Sequence, residues 1–354
     1  MGSLRILSAS QQVAAHLRLD VLSGVWHGAM PGEDRLIRRL GVGRATVKAA
    51  LCQLEDEGLL VPQGTGKPRL IVLPENYAPP ALRIAILLYE PDDRKIDYLL
   101  DLLHRLAAAG HTAVFLSKTL TELGMDGRRV QKFVTATEAD AWVVVGGSRP
   151  VLDWFAAQTL PAFALFGRSV SVPIASTSPK KAPAQITAVR RLVSMGHRRI
   201  VMLTRGERRK PVPGLLERTF LNELEAQGIP TGGYNLPDWD ETPGGFHQLL
   251  DTLFRHTPPT ALLVQGAQLT VAVLQHFTER GIKVPRDISL VCMDPDPAFA
   301  WCQPSISHLS WDFDPIVRRV VRWADNVARG KDDRRASTTL AEFIEGGTIG
   351  PAKR

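Results

Sequence analysis

The chain contains 354 residues, of which 44% are hydrophobic and 22% are charged, and its formal net charge is +7. This composition supports two or three folded lobes and excludes a long disordered arm. The three cysteines are too few for a disulfide framework, so a reducing compartment is the simplest interpretation. Because neither a signal peptide nor a long apolar run is found, we expect a cytoplasmic protein without membrane contact. The excess of Lys and Arg over Asp and Glu favours a polyanionic partner but does not establish one.

Residues 8–73 show the pattern of three helices followed by a hairpin. The first predicted helix runs from about Ser10 to Ser23, and a short second helix starts near residues 32–34. The third lies within GRATVKAALCQLEDEGLL, residues 43–60, and LLVPQGTGKPRLIVL then predicts two short strands around a glycine-rich turn. Four apolar positions of the third helix recur at the spacing of one helical face: Val47, Ala50, Leu51 and Leu54. This layout predicts a winged helix-turn-helix.

A proline-bearing segment, residues 75–82, is interpreted as a linker between this first domain, residues 1–74, and the rest of the chain. From residue 83 onward, short apolar runs alternate with helical patterns in two successive series. This alternation predicts two α/β lobes whose parallel sheets are covered on both faces. We expect the chain to cross between the lobes near residues 178, 303 and 330. The predicted lobes are residues 83–178 with 303–330, and residues 179–302 with 331–354.

Several long motifs resemble two known families. The stretch LRLDVLSGVWHGAMPGEDRLIRRLGVGRATVKAALCQLEDEGLL resembles the GntR-type winged-helix domain over nearly its whole length. The remainder resembles the sensor domain of lactose-repressor-like (LacI/GalR) regulators, through MGHRRIVML at 195–203, RGIKVPRDISLVCMD at 280–294 and FIEGGTIGP at 343–351. Together the resemblances cover almost the entire chain. They imply an α/β protein in which an N-terminal α+β winged helix-turn-helix precedes a two-lobed, periplasmic-binding-protein-like sensor with doubly wound parallel sheets.

The first resemblance implies a set of DNA-contacting residues in the winged helix. These are Arg35, Arg44, Thr46 and Lys48 on the helices, and Gly64, Gly66 and Lys67 in the wing. A helix with Arg and Lys in its N-terminal turns can enter the major groove, and glycines let a wing backbone approach DNA closely. The chain departs from the family at Gly43, where a Ser or Thr cap is frequent, and at Asp34, where an Arg is frequent.

The second resemblance places an effector at the carboxyl ends of the sensor's strands. It implies ligand contacts from Arg218, Trp239 and Asp294. Position after a predicted strand adds Tyr89, with its neighbours Glu90 and Asp92, and also Arg149. Three of these have plainer alternatives, namely a surface charge for Arg218, simple packing for Trp239 and a loop cap for Asp294.

The sensor half lacks polar groups that the resemblance leads us to expect. After the predicted strand ALLV, where the family usually has Asn-Asp, this chain has Gln265, Gly266 and Ala267. At the first lobe crossing, where an Asp is usual, it has Ser178, Pro179 and Lys180, followed by Lys181. Two interpretations stay open: the effector is not a typical neutral sugar, an anionic compound being one candidate, or the cleft has lost its ligand. We favour the unusual effector.

Enzyme motifs are not found in the sequence. GTGKP at 64–68 lacks the residues of a phosphate-binding loop, no GxSxG elbow occurs, and the nine histidines show no metal-ligand spacing. We therefore expect neither catalysis, nor a metal, nor a cofactor. The sequence favours a transcriptional regulator, most simply a repressor, that binds double-stranded operator DNA as a homodimer and responds to a sugar or sugar-derived effector. The alternative is a ligand-binding sensor or scaffold whose vestigial winged helix does not bind DNA.

Overall fold

The computed structural model of the chain describes residues 7–22, 26, 28–64, 66–73 and 81–353. Residues 75–80 of the predicted linker, and Ser23 at the end of the first predicted helix, lie outside the described residues. The chain divides into two compact units, Met1–Ser176 with Val317–Ala336, and Thr177–Ile316 with Ser337–Arg354. Within the described residues, no helix has both the length and the apolar character needed to cross a membrane.

The N-terminal part of the first unit consists of three helices and a two-stranded hairpin. These elements are α1 (Ala9–Leu22), α2 (Glu33–Leu40), α3 (Arg44–Asp56), β1 (Leu60–Val61) and β2 (Leu70–Ile71). Helix α1 packs chiefly on α3, and the two strands pair antiparallel, with Leu60 opposite Ile71. The α3 side chains that were predicted to face the core are all fully buried: Val47, Ala50, Leu51 and Leu54. The winged helix-turn-helix prediction is confirmed.

The rest of the first unit is built on a four-stranded parallel sheet. Its strands are β3 (Arg83–Leu87), β4 (Thr112–Phe115), β5 (Ala141–Val145) and β6 (Ala162–Leu165). They lie in the order β4-β3-β5-β6, and each neighbouring pair is parallel. The helices between them are α4 (Asp97–Ala108), α5 (Gly127–Thr135) and α6 (Arg149–Ala156). Every residue of β5 and β6 is buried, as expected of a parallel sheet that is covered on both faces.

The second unit contains a second sheet of the same kind, which the chain enters through β7 (Ala175–Lys180). Its other strands are β8 (Ile200–Leu203), β9 (Ala261–Val264), β10 (Ser289–Cys292), β11 (Ser307–Trp311) and β12 (Ala336–Ile344). Strands β8 to β11 are parallel in the order β11-β10-β9-β8, and β12 lies antiparallel beside β11. The helices are α7 (Ala182–Ser194), α8 (Gly206–Arg209), α9 (Leu215–Ala226), α10 (Pro243–His256) and α11 (Ala267–Glu279).

The chain passes between the two units after residues 176, 316 and 336. The second crossing lies later than the predicted residue 303. Residues 303–316 stay in the second unit because β11 pairs with both β10 and β12. The third crossing also lies later than the predicted residue 330, because Asp333 is bonded to Arg319 in α12 (Asp314–Ala328), which enters the first unit at Val317.

Candidate functional site

Helix α3 presents a polar side opposite its buried stripe. Arg44 and Lys48 are one helical turn apart and both are exposed, whereas Thr46 is half-buried. The helix begins after Gly43, whose extended backbone forms the N-cap without a side-chain hydrogen bond. The first amide groups of α3 are therefore not capped by a side chain of that residue, and they stay available to an anion.

Two of the predicted DNA-contacting residues make charged contacts at or near α2. Arg44 donates to the carboxylate of Asp34, and both side chains are largely exposed. The Arg35 guanidinium lies 5.8 Å from the ring centroid of Trp26, which also carries Arg39 at 4.6 Å. The departure from the family at Asp34 thus places a carboxylate directly on the arginine that the resemblance assigns to DNA.

The described wing residues between β1 and β2, 62–64 and 66–69, are mostly exposed. Gly64 and Gly66 have φ values of 102° and 79°, which residues other than glycine rarely adopt, so glycine suits both positions. The Lys67 amide donates to the Gly64 carbonyl at 3.2 Å, and the Lys67 side chain is exposed. A residue that sequence reasoning missed, Arg69, pairs with Glu55 of α3 and lies 3.6 Å from Glu33 of α2. Its side chain therefore joins the wing to both helices.

The outer face of α3 is made of small side chains. Ala45, Ala49 and Cys52 are exposed there, on the side away from the four buried residues. Cys52 lies between the buried Leu51 and Leu54 in the sequence, but the helical turn carries its side chain outward. Small residues beside Arg44 and Lys48 allow the helix axis to approach a partner closely.

In the second unit, three of the residues that sequence analysis singled out meet at the carboxylate of Asp294. Asp294 lies just beyond β10, Gly266 just beyond β9, and Lys181 just beyond β7. The Lys181 ammonium donates to Asp294 Oδ1 at 2.5 Å, and the Gly266 amide donates to Oδ2 at 2.9 Å. The two places where the chain departs from the family are therefore joined through one acidic residue.

The Lys181–Asp294 pair is packed against an aromatic ring. The Lys181 ammonium lies 4.4 Å from the ring centroid of Trp311, the last residue of β11. The Lys181 side chain is 13% exposed and that of Asp294 is 27% exposed. Burial alone would raise the pKa of Asp294, but the charges of Lys181 and Arg208 hold it below its usual value. Asp294 is thus an ionised carboxylate whose charge is already paired within the protein.

The other two residues of this unit that were predicted to contact the effector, Trp239 and Arg218, donate hydrogen bonds to backbone carbonyls. The Trp239 indole N–H donates to the Thr204 carbonyl at 2.9 Å, and its ring packs on Phe246 with centroids 5.0 Å apart. Arg218 is exposed and donates to the Pro213 carbonyl at 2.8 Å. These contacts occupy the Trp239 N–H and one N–H group of Arg218, and the ligand contacts assigned to both residues stay predictions.

Tyr89 and Arg149 lie in the first unit, after β3 and at the start of α6. The Tyr89 ring packs against the backbone of Gly146. A Cβ atom at residue 146 would lie only 3.1 Å from this ring. Arg149 is exposed, donates to Asp153 at 2.8 Å and to the Val170 carbonyl at 3.1 Å. Among the described residues, no group of three or more His, Cys, Asp or Glu side chains could hold a metal ion.

Two known domains match separate parts of the chain. The gntR family of bacterial regulatory proteins matches residues 9–66, and a periplasmic binding protein-like domain matches residues 189–349. The lactose operon repressor of Escherichia coli (strain K12) is 27% identical over 129 residues, which are 35% of this chain and 34% of the repressor. The chain thus matches about a third of the length of that relative.

Solved structures of regulators share the fold of most of the chain. The transcriptional regulator CelR, in complex with cellobiose, is 16% identical, covers 90% of this chain and 100% of its own, and has a TM-score of 0.63. A sugar-binding regulator of the LacI family from Escherichia coli, in complex with phosphate, is 18% identical, covers 76% of this chain and 98% of its own, and has a TM-score of 0.58. At these identities the likeness shows the fold alone. The chain therefore joins a helix-turn-helix domain of the gntR family of bacterial regulatory proteins to a periplasmic binding protein-like domain.

Proposed function

We propose that the protein is a DNA-binding transcriptional regulator, in its simplest form a repressor, whose DNA affinity is set by a small-molecule effector. The observation that carries this proposal is helix α3, where a fully buried apolar stripe directs Arg44 and Lys48 outward beside a glycine-turn wing. Such a helix fits the major groove and can reach both phosphates and base edges. The same chain carries a sensor fold of a kind that binds cellobiose in CelR.

We propose a homodimer that binds an operator with two-fold symmetry. One winged helix offers too little contact area for operator-level affinity, and a two-fold axis doubles that area with the same residues. An effector that binds the sensor would alter operator affinity, and thermodynamic linkage requires the operator to alter effector affinity by the same factor.

The direct test is operator binding by the full-length protein. Fragments from the regions flanking its own gene are expected to shift in a gel, with an affinity that falls steeply with salt. The logarithm of the binding constant should fall linearly with the logarithm of salt concentration, with a slope of about −0.9 for each phosphate neutralised. Ligand binding without any salt-sensitive shift would favour the alternative, a sensor or scaffold with a vestigial winged helix.

Cys52 gives a chemical footprint of the same interface. Its thiol is exposed on the outer face of α3, whereas burial raises the pKa of Cys292 to about 12 and keeps that thiol unreactive. Operator DNA is expected to slow alkylation of Cys52 by a maleimide, because the helix lies in the groove. Peptide mass spectrometry measures the rate separately at Cys302, which is partly exposed in the second unit and serves as the control. Equal rates at Cys52 with and without DNA would place α3 outside the interface.

A further inference from the structure

Around Asp294, at the carboxyl ends of the second unit's strands, the hydrogen-bond acceptors are occupied within the protein, whereas several donors are not. We call this surface the Asp294 edge, and it consists of Lys181, Arg208, Gln265 and Asp294. Its acceptors are already occupied: the two carboxylate oxygens of Asp294 accept from Lys181 and from the backbone of Gly266. The Gln265 side-chain oxygen likewise accepts from the backbone N–H of Arg205 at 3.2 Å.

The N–H groups of the Asp294 edge are only partly bonded within the protein. The Lys181 ammonium has three N–H groups, and its one hydrogen bond to a described residue is the one to Asp294. The amide NH2 of Gln265 bonds to no described residue. The Arg208 guanidinium is half-buried and makes neither a hydrogen bond nor an ion pair with any described residue, although its charge lowers the pKa of Asp294.

Among the described residues, two buried acceptor oxygens of the same unit also lack partners. They are Oε2 of Glu217 and Oε1 of Gln185, and these residues are 2% and 0% exposed. A ligand that arrives from solvent therefore meets the donors of the Asp294 edge and not these oxygens.

We propose that the Asp294 edge holds the anionic group, a phosphate or a carboxylate, of a hydroxylated small molecule through Arg208, Lys181 and the Gln265 amide. This inference rests on the proposed role of the second unit as an effector sensor. Carboxylate and phosphate oxygens only accept hydrogen bonds, so they match a surface whose free groups only donate. A neutral polyol has hydroxyl donors that need acceptors, and Asp294 is already paired with Lys181.

The excess of positive charge at the Asp294 edge supports the same ligand class. Lys181 and Arg208 contribute two cations, and Asp294 contributes one carboxylate. A half-buried guanidinium without a hydrogen-bond partner is costly, because burial removes water that would otherwise solvate it. The charge of Arg208 acts on Asp294, but both oxygens of that carboxylate already accept hydrogen bonds from Lys181 and Gly266. An anionic ligand would supply the missing partner, and the planar guanidinium of Arg208 suits bidentate contact with a carboxylate or phosphate.

Calorimetry and thermal shift with four probes test the inference on the full-length protein. The probes are inorganic phosphate, gluconate, a hexose phosphate and neutral glucose, at an ionic strength matched with chloride to keep general screening constant. We expect phosphate and at least one of the two anionic sugar derivatives to raise the melting temperature in proportion to the logarithm of concentration, and glucose to have no effect. The relative strength of gluconate and the hexose phosphate distinguishes a carboxylate from a phosphate.

Two substitutions connect the binding to the proposed residues. Arg208→Gln removes a cation that has no protein partner, so the fold should be kept while the anion binds about 10- to 100-fold more weakly. Lys181→Gln is expected to act in the same direction. Lys180→Gln is the matched control, since it removes the same charge from the adjacent exposed lysine and should leave the affinity unchanged.

Three results would overturn the inference: binding of glucose as strong as that of the anions, no binding of any probe, or anion binding by Arg208→Gln that equals the wild type. Operator binding, measured on the same preparations, keeps the two proposals apart. A protein that shifts operator DNA and fails these ligand tests remains a regulator with a different effector. Failure to bind operator DNA contradicts the proposed function itself.

Discussion

Replacing both Arg44 and Lys48 with alanine is expected to weaken operator binding by at least about a hundredfold. Loss of an arginine contact to a base edge costs about 1–3 kcal/mol, and a dimer loses it twice. Loss of the lysine removes a phosphate contact, so the salt dependence should also become shallower by about one unit of slope for each protomer. The measurement is a gel-shift or fluorescence-anisotropy titration at several salt concentrations.

The fold should tolerate this double replacement. Both side chains are exposed, and the ion pair between Arg44 and Asp34 is a surface pair that contributes about 0–1 kcal/mol. The control is Arg255→Ala, which removes an exposed cation from the end of α10 in the second unit. Wild-type operator affinity in the double variant would show that α3 is not the reading helix.

Replacing Asp333 with alanine is expected to lower the free energy of unfolding of the first unit by about 3–5 kcal/mol. The Asp333 side chain is 3% exposed, and its carboxylate accepts from Arg319 at 3.0 and 3.1 Å and from Asn326 at 2.8 Å. Without the carboxylate, the Arg319 guanidinium stays buried above the ring of Phe163 with no counter-ion. Urea denaturation, followed by tryptophan fluorescence, measures the loss.

The neighbouring residue supplies a matched control for Asp333. Asp332 is 74% exposed and pairs with Arg334, which is 53% exposed, so Asp332→Ala should cost no more than about 1 kcal/mol. Equal losses from the two variants would contradict the importance of the buried pair.

The Asp333 carboxylate should also make stability depend on acidity. Burial opposes its ionisation, but bonds from Arg335, Asn326 and Arg319 hold the pKa of Asp333 well below its usual value. A carboxylate with a depressed folded-state pKa stabilises the protein above its unfolded-state value of about 4 and loses that contribution as the pH falls further. The wild type should therefore lose stability below about pH 4 more steeply than Asp333→Asn.

The winged helix was predictable because its signals are local. The spacing of Val47, Ala50, Leu51 and Leu54 marks a buried helical face whatever the rest of the chain does, and these four residues are fully buried. The same angular argument accounts for Cys52, which lies between Leu51 and Leu54 in the sequence and is exposed on the opposite side of the helix.

The second unit was predictable in its strands and not in its contacts. The apolar runs identified β8, β9 and β10 correctly, and motif resemblance singled out Asp294. It did not indicate that Lys181, 113 residues away in the chain, would pair with that carboxylate. Nor did it show that the Arg218 guanidinium would donate to the Pro213 carbonyl while the side chain faces solvent.

The difference between these two outcomes has a physical cause. Helical periodicity acts over a few residues, so the chain order alone determines that α3 has one buried face and turns Arg44 and Lys48 outward. Which residues become neighbours in a parallel sheet depends on which strands pair, because the crossover connections place segments that are distant in the sequence side by side. Folding of the sheet therefore decided that Lys181, Gly266 and Asp294 meet, and that donors are left unpaired around them.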